Sequence, residues 1–327
     1  MAEADPPLAD DPPGSGPVAS ESAAPAAAPD PDFRCGFVAI VGRPNVGKST
    51  LLNALLERKI SIVSPKPQTT RHRILGILNR PKAQIVFVDT PGLHSAGKRA
   101  MNRHMNRAAV TSLNDADVNL LVIEASSWTP EDERVLEQLV ARGQPMMLVV
   151  NKVDKMRPKE RLLPLIEELT HRAQFTEVIP LSAAKRDNLA KLPDLIVRHL
   201  PHSPPHFPLD QVTDRSVQFR AAEIIREKLT LRLHQELPYG LTVEIERFVH
   251  EGTRWLVYAV IWVERRGQKA IVIGQGGEQL KEVGRASRIE ISNLLNEPVH
   301  LELWVKVKEN WSDSEAALRQ LGYDSLE

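Results

Sequence analysis

Cysteine is almost absent from this sequence. The one cysteine, Cys35, cannot form an internal disulfide and cannot by itself build a cysteine-ligated metal site. Aromatic residues are also scarce, at 5% of the 327 residues. The longest uninterrupted apolar run, at 255–263, is far shorter than the ~20 residues that a membrane-spanning helix needs. The composition therefore excludes a disulfide scaffold and predicts a chain in a reducing compartment that does not span a membrane.

Net charge is missing as well, because the 42 basic and 42 acidic residues cancel. The charge is unevenly distributed over three regions. The net charge is −7 over residues 1–32, +10 over 33–205 and −3 over 206–327. A neutral total is therefore compatible with a local basic surface. Residues 1–32 contain no lysine or arginine and few large apolar residues, so we predict a disordered acidic tail without a targeting pattern.

The chain after this tail divides into two modules. Five short segments rich in β-branched residues alternate with stretches of helical period, at 37–41, 85–88, 119–123, 146–150 and 177–180. This rhythm predicts an α/β domain with a mostly parallel sheet over 33–200. Prolines at 201, 204, 205 and 208 exclude a regular helix and predict a linker at 201–215. An α-β-β-α-α-β pattern predicts a smaller α+β domain at 216–310, with 311–327 as a C-terminal tail.

A glycine-rich loop follows the first predicted strand and leads into a predicted helix at 49–56. It matches the pattern G-x-x-x-x-G-K-[ST]. The backbone N–H groups of such a loop can enclose a β-phosphate, and the helix N-terminus adds a positive end. Lys48 can reach the β- and γ-phosphates, and the Ser49 hydroxyl suits Mg²⁺. The predicted phosphate site is Gly42, Arg43, Pro44, Asn45, Val46, Gly47, Lys48 and Ser49.

Two further segments complete the predicted γ-phosphate and magnesium site. Asp89, at a strand end, can hold Mg²⁺ through water, and the Gly92 N–H can bond the γ-phosphate. In the segment 65–72, either Thr69 or Thr70 can bond Mg²⁺ and order the loop only while the γ-phosphate is bound, and the sequence leaves both open. The predicted metal ligands are Ser49, Thr69, Thr70 and Asp89, and the predicted catalytic residues are Asn45, Lys48, Thr69, Thr70 and Gly92. The nucleotide contacts from this region are Asp89, Thr90, Pro91, Gly92 and Leu93.

The base is predicted to be guanine. The Asp154 carboxylate can accept from guanine N1–H and N2–H together, whereas adenine has an acceptor at N1 and would leave a charge unpaired. Asn151 can bridge the base and the phosphate loop, and a backbone N–H after the next strand can bond the guanine O6. The predicted contacts are Asn151, Lys152, Val153, Asp154, Ser182, Ala183 and Ala184. The substrate is therefore GTP.

The water-orienting glutamine of Ras-like GTPases is replaced by Leu93, which can neither donate to water nor accept from it. Hydrolysis without a partner is thus predicted to be slow. Asn45 can supply a carbonyl oxygen for K⁺, which would stand in for an arginine finger. The alternative is that Asn45 only hydrogen-bonds its own loop.

The second module carries a G-x-x-G turn between two predicted helices. KH modules use such a turn to clamp ~4 nucleotides of single-stranded backbone, because glycine lets phosphate approach the main chain. Basic residues flank the turn and suit phosphate contacts. The predicted RNA contacts are Lys269, Gly274, Gln275, Gly276, Gly277, Lys281, Arg285 and Arg288. A protein-contact role for this module is the alternative, and Arg285 and Arg288 also fit a solvated helix face.

With these motifs the chain resembles the Era family, in the TrmE–Era–EngA group of bacterial GTPases. The resemblance covers residues ~33–325 and is carried by 42–49, 68–72, 89–92, 151–154, 181–183, 236–239, 243–248, 274–277 and 298–308. It implies a P-loop GTPase domain joined to a type-II KH domain. It also implies binding near the 3′ end of 16S rRNA, a role in assembly of the 30S subunit, and cytoplasmic location with peripheral attachment to the inner membrane. The acidic tail departs from the family pattern.

The resulting hypothesis is a Mg²⁺-dependent, monomeric GTPase switch that couples nucleotide state to RNA binding by the KH module. Two alternatives stay open: an RNA-binding scaffold in which GTP is structural, and a membrane-surface or cell-cycle GTPase whose KH module binds protein. Salt-sensitive RNA binding would argue against the second alternative.

Overall fold

The computed structural model describes residues 30–92, 99–233 and 237–323. Nearly all of the predicted acidic tail, the whole segment 93–98 with Leu93, and residues 324–327 lie outside these ranges. Within them, no helix combines the length and the apolar character needed to cross a membrane.

Six strands form the sheet of the first domain, in the order β2-β3-β1-β4-β5-β6. Only β2 and β3 pair antiparallel, while all other neighbours are parallel, which confirms the predicted α/β class. The strands are β1 Arg34–Val41, β2 Ile74–Arg80, β3 Ala83–Asp89, β4 Val118–Glu124, β5 Met146–Asn151 and β6 Glu177–Pro180.

Helices cover both faces of this sheet. Alternate residues of β1 enter two separate cores, with Val38 and Ile40 on one face and Ala39 and Val41 on the other. This explains why the parallel strands are apolar along their whole length rather than at every second residue. The helices are α1 Lys48–Leu56, α2 Ala100–Asn114, α3 Pro130–Val140, α4 Leu162–Thr170 and α5 Leu192–Val197.

The edge strand β2 is missing from the sequence prediction, and the predicted linker packs along it. The Ile77 N–H donates to the Val212 carbonyl at 2.8 Å, and the Thr213 hydroxyl donates to the Leu75 carbonyl at 2.7 Å. Asp214 accepts from the Leu75 N–H at 3.0 Å. Residues 202–214 thus form a strap bound to the first domain.

The second domain has the predicted α-β-β-α-α-β order. Its sheet runs β7-β8-β9, with β7 antiparallel and β9 parallel to the central β8. Helices α6 and α8 pack on one face around a core that includes Ile225, Leu229 and Ile291. The elements are α6 Val217–Arg232, β7 Leu241–Glu251, β8 Arg254–Val263, α7 Arg266–Ile273, α8 Glu278–Leu295 and β9 Val299–Val307.

Residues 311–323, which we expect to be part of a tail, pack against both domains. Trp311 and Tyr323 are buried, and helix α9 spans Glu315–Gln320. The Tyr323 ring stacks on His72 of the first domain at 4.4 Å, and its hydroxyl lies 2.9 Å from that of Thr242 in β7. Two large aromatic side chains give this short segment enough apolar area to dock.

Candidate functional sites

The glycine-rich loop is closed in by its surroundings. Gly42 and Gly47 have φ of 151° and 103°, and a Cβ on either would come within 3.0 Å of a neighbouring atom, the Val122 carbonyl oxygen or Asn151 Nδ2. Lys48 begins α1, and its buried amino group donates to the carbonyls of Gly42 at 2.8 Å and Arg43 at 2.9 Å. Burial lowers the pKa of Lys48 to about 8.

Three oxygen-bearing side chains meet beside this loop. Ser49 Oγ lies 2.8 Å from Asp89 Oδ2 and 2.9 Å from Thr70 Oγ1, and Thr70 Oγ1 is 3.5 Å from the same carboxylate oxygen. Asp89 is fully buried, which raises the pKa of its carboxyl group. Its Oδ1 is also buried and has no hydrogen-bond partner among the described residues. This all-oxygen set suits Mg²⁺.

The neighbouring threonine points elsewhere. Thr69 Oγ1 lies 2.6 Å from Ser64 Oγ and donates to the Lys66 carbonyl at 2.6 Å, so its hydroxyl bonds within its own loop. Of the two threonines that the sequence leaves open, the structure brings only Thr70 to Ser49 and Asp89. We name residues 58–72 the Thr70 loop.

The predicted guanine segment is tied to the phosphate loop. Asn151 Nδ2 donates to the Val46 carbonyl at 2.8 Å, and its Oδ1 accepts from the Ala183 N–H at 3.0 Å. The Lys152 amino group donates to the Asn45 carbonyl at 2.6 Å. Asp154 Oδ1 accepts from the Ser182 hydroxyl at 2.6 Å. Three separate parts of the sequence, at 45–46, 151–154 and 182–183, thus form one connected unit.

Sequence reasoning missed the acidic residues behind this unit. Glu124, at the end of β4, accepts from Lys152 at 2.8 Å and lies 3.8 Å from an Arg43 nitrogen. The buried Asp132 accepts from Arg43 Nε at 3.1 Å. No motif marks these acids, although a carboxylate at the end of a parallel strand is a signal that could have suggested Glu124.

A cavity of about 600 Å³ adjoins these groups. The sequence-predicted residues that line it are Pro44, Asn45, Gly47, Lys48, Ser49, Thr69, Thr70, Gly92 and Lys152. Asp154 borders a separate cavity of about 140 Å³. Val46 is buried in the core, Ala184 is exposed, and the Thr90 hydroxyl donates to the Ile40 carbonyl at 3.0 Å inside the sheet.

The G-x-x-G turn of the second domain is open. It joins α7 to α8, and Gly274, Gly276 and Gly277 have φ of 75°, 60° and 80°. A Cβ on Gly276 or Gly277 would meet no atom within 4 Å. Lys281, Arg285 and Arg288 are exposed and share one face of α8, opposite the buried Val283, Ser287 and Ile291. Lys269 lies on α7, and none of these four cations has an ion-pair partner within residues 30–92, 99–233 and 237–323.

The Thr70 loop binds the second domain through buried charge. Arg226 of α6 donates to both carboxylate oxygens of Glu223 at 2.7 Å and also to the Thr69 carbonyl. The guanidinium of Arg71, which is 1% exposed, donates to the carbonyls of Leu241 at 2.7 Å and Tyr239 at 3.2 Å. The two residues beside Thr70 are therefore both attached to the second domain.

A second group of contacts holds the beginning of the same loop. The Val63 N–H donates to Glu227 Oε1 at 2.9 Å, and Lys59 pairs with the other oxygen of this buried carboxylate. The same carboxylate also accepts from Lys228 of α6 at 3.0 Å, so it joins a lysine of each domain. The loop and α6 therefore form a single charged interface.

The comparisons with known proteins agree with this arrangement. Residues 37–152 match the family described as 50S ribosome-binding GTPase, and residues 236–312 match the KH domain family. The first domain has an α/β sheet, and its strand, loop and helix around Lys48 are those of a P-loop GTPase. The α+β domain with the G-x-x-G turn follows it. The chain is therefore a P-loop GTPase that carries a C-terminal KH domain.

About nine-tenths of the chain matches known relatives. It is 54% identical to GTPase Era of Stenotrophomonas maltophilia over 89% of this chain and 97% of the relative, and 51% identical to GTPase Era of Pseudomonas aeruginosa over 90% and 96%. The chain belongs to the GTPase Era family. An Aquifex aeolicus Era variant bound to GDP·AlF₄⁻ superposes with a TM-score of 0.86 at 41% identity, over 89% of this chain and 99% of that one. An Era complex with MgGDPNP and nucleotides 1506–1542 of 16S ribosomal RNA gives the same values.

Proposed function

We propose that this GTPase is a switch whose nucleotide state sets how tightly the KH domain holds 16S rRNA during assembly of the 30S subunit. The observation that carries the proposal is the position of Thr70. Its hydroxyl joins Ser49 and Asp89, while the residues on either side of it are bonded to the KH domain through Arg226 and Arg71. A ligand that fixes Thr70 therefore also fixes the contact between the domains.

Magnesium fits the donor set beside the phosphate loop. Ser49 and Thr70 would hold it, with the partnerless Asp89 Oδ1 able to bond its waters. When bound, Mg²⁺ neutralises charge on the β- and γ-phosphate oxygens. Lys48 adds a positive charge to the same phosphates, and the Gly92 N–H bonds the γ-phosphate. The solved relative in complex with MgGDPNP supports this assignment.

Guanine is selected by Asp154. The Ser182 hydroxyl holds one carboxylate oxygen in place, and Asn151 ties the segment to the phosphate loop and to Ala183. The carboxylate then accepts from guanine N1–H and N2–H, while an adenine would place an acceptor against it. We expect ATP to compete poorly with GTP for this site.

Hydrolysis proceeds without a water-orienting glutamine, since Leu93 occupies that position. We propose that the Asn45 side chain helps to hold K⁺ beside the phosphates, where the cation stabilises the developing charge. Asn45 has φ of 65° and lines the cavity, and its main-chain carbonyl accepts from the Lys152 amino group. Turnover should be faster in K⁺ than in Na⁺ at equal ionic strength, and equal rates would remove K⁺ from the mechanism.

RNA is proposed to bind at the open turn of Gly274, Gln275, Gly276 and Gly277, with Lys269, Lys281, Arg285 and Arg288 contacting phosphates. The solved complex of a relative with a fragment of 16S ribosomal RNA supports this partner. The cations of α8 are exposed and need no rearrangement to meet a phosphate backbone. We keep cytoplasmic location, peripheral attachment to the inner membrane and a monomeric state as predictions from the family resemblance.

The switch is tested by the affinity for a 16S 3′-terminal RNA fragment, measured with GDP and with a non-hydrolysable GTP analogue. We expect tighter RNA binding with the analogue, since a ligand shifts an equilibrium only through unequal affinity for its two states. Thr70→Ala should abolish the difference, because the loop then loses its link to the metal site, whereas Thr69→Ala should largely retain it. Equal RNA affinities in both nucleotide states would favour a scaffold in which GTP is structural.

A further inference from the structure

The nucleotide cavity is not built from the GTPase domain alone. Leu231 lies in the last turn of α6, the first helix of the KH domain, and it lines the same cavity as Lys48 and Lys152. Its side chain is 47% exposed. A leucine this exposed adds little to the core of its own domain, so its side chain is available to a molecule bound in the cavity.

The end of α6 is fixed in this position by the Thr70 loop. The Lys66 amino group donates to the Thr230 carbonyl at 2.6 Å and also to the Leu233 carbonyl. The last carbonyls of a helix have no partner within the helix and form its negative end, so a lysine there is stabilising. A cation of the GTPase domain therefore caps a helix of the KH domain, next to Leu231.

The other loop contacts lie on the same side of the helix. Arg226, Glu227 and Thr230 all bond residues of the Thr70 loop, and their spacing places them on one face of α6. Leu231 follows Glu227 by four residues, next to this face. The attachment of α6 to the loop therefore brings Leu231 to the cavity wall.

We propose that Leu231 is a nucleotide-retaining residue, contributed by the KH domain to the site of the GTPase domain. The inference rests on the proposed function in one respect, that guanine nucleotide occupies this cavity. With nucleotide bound, the side chain covers part of it and keeps water out, so release of GDP or GTP requires α6 to move. The KH domain thereby influences nucleotide exchange directly, in addition to responding to it.

The test is the release rate of fluorescently labelled GDP from the full chain, followed by stopped flow. Leu231→Ala should release GDP about five-fold faster, as expected for the loss of a partly buried apolar contact. Lys66→Met should accelerate release as well, and Lys66→Arg, which keeps a cation at the helix end, should restore a slow rate. Val217→Ala is the matched control, since Val217 is 41% exposed and begins the same helix, away from the cavity.

Comparing KM with kcat distinguishes a role in nucleotide retention from a general loss of structure. Because Leu231 does not touch the reacting phosphate in this proposal, Leu231→Ala should raise KM for GTP and leave kcat and the melting temperature unchanged. Release rates equal to wild type in Leu231→Ala, or the same acceleration in Val217→Ala, would overturn the proposal. Failure of the switch would instead appear as equal RNA affinity in both nucleotide states of the unmodified chain, whatever the release rates.

Discussion

The two glycine-rich turns that we propose as phosphate sites have opposite surroundings. In the phosphate loop, Gly42 and Gly47 are needed because the protein itself leaves no room for a Cβ. In the KH turn, the surroundings of Gly276 and Gly277 are empty to 4 Å, and their positive φ is the only internal demand for glycine. The first turn is therefore suited to a small ligand enclosed by the protein, and the second to a polymer that binds from solvent.

The cations follow the same division. Lys48 is buried against its own loop, whereas Lys281, Arg285 and Arg288 project from an exposed helix face. A buried cation has a shifted pKa and acts at one fixed point, while exposed cations act additively and are screened by salt. The two sites should therefore respond differently to sterics, added charge and pH.

The largest difference is expected from a single methyl group. Gly47→Ala would displace Asn151, breaking its hydrogen bonds to Val46 and Ala183, so GTP affinity should fall on the order of 100-fold. Calorimetric titration with GDP and a GTP analogue measures the nucleotide affinity. Gly276→Ala serves as the control and should leave this affinity unchanged. If Gly47→Ala binds nucleotide as tightly as the wild type, the loop has room for a Cβ and is not closed.

Added negative charge should affect the open turn instead. The double substitution Gln275→Asp and Gly276→Asp places two carboxylates where an RNA phosphate must approach, so RNA affinity should fall by about 50-fold at low salt. Fluorescence anisotropy over a salt series gives the affinity and its salt slope. As a control, the GTPase rate without RNA should stay at the wild-type level. An unchanged RNA affinity would show that RNA does not bind at this turn.

The smallest effect is expected from pH. Burial sets the pKa of Lys48 to about 8, below the ordinary value of 10.5. A lysine with a lowered pKa is charged below that value and neutral above it, and phosphate needs the charged form. GTP affinity should therefore be full below pH 8 and fall by up to about ten-fold per pH unit above it. Calorimetric titration at pH 8.5 in two buffers should detect proton uptake when GTP binds. If no proton is taken up, the pKa of Lys48 does not lie near 8.

The sequence predicts what is contiguous and misses what depends on distant residues. The phosphate loop, the order of the parallel strands and the α-β-β-α-α-β module follow from local patterns, and the structure confirms both fold classes. The choice between Thr69 and Thr70 does not follow, because adjacent side chains point in different directions and only the folded loop decides. Arg226 and Leu231 carry no motif, since their roles arise from a contact with another domain.

The wrong expectation for residues 311–323 has a similar origin. A short segment after the last strand reads as a tail, and its two aromatic residues find their partners in both domains. The edge strand β2 is as long as β3, at seven residues each, but the sequence pattern misses it because Gly76 interrupts its apolar run and it ends in the polar Asn79 and Arg80. The contacts of β2 with the linker join residues far apart in the sequence, so no local pattern predicts them.

That strap along β2 has a consequence for solubility. A bare edge strand offers unpaired backbone groups to other chains, and the apolar run at 74–78 would make this edge prone to aggregation. Here residues 202–214 cover it with backbone and side-chain hydrogen bonds. A GTPase-domain fragment that ends at residue 200 would expose this edge. The shortest fragment that does not aggregate should therefore extend through residue 214.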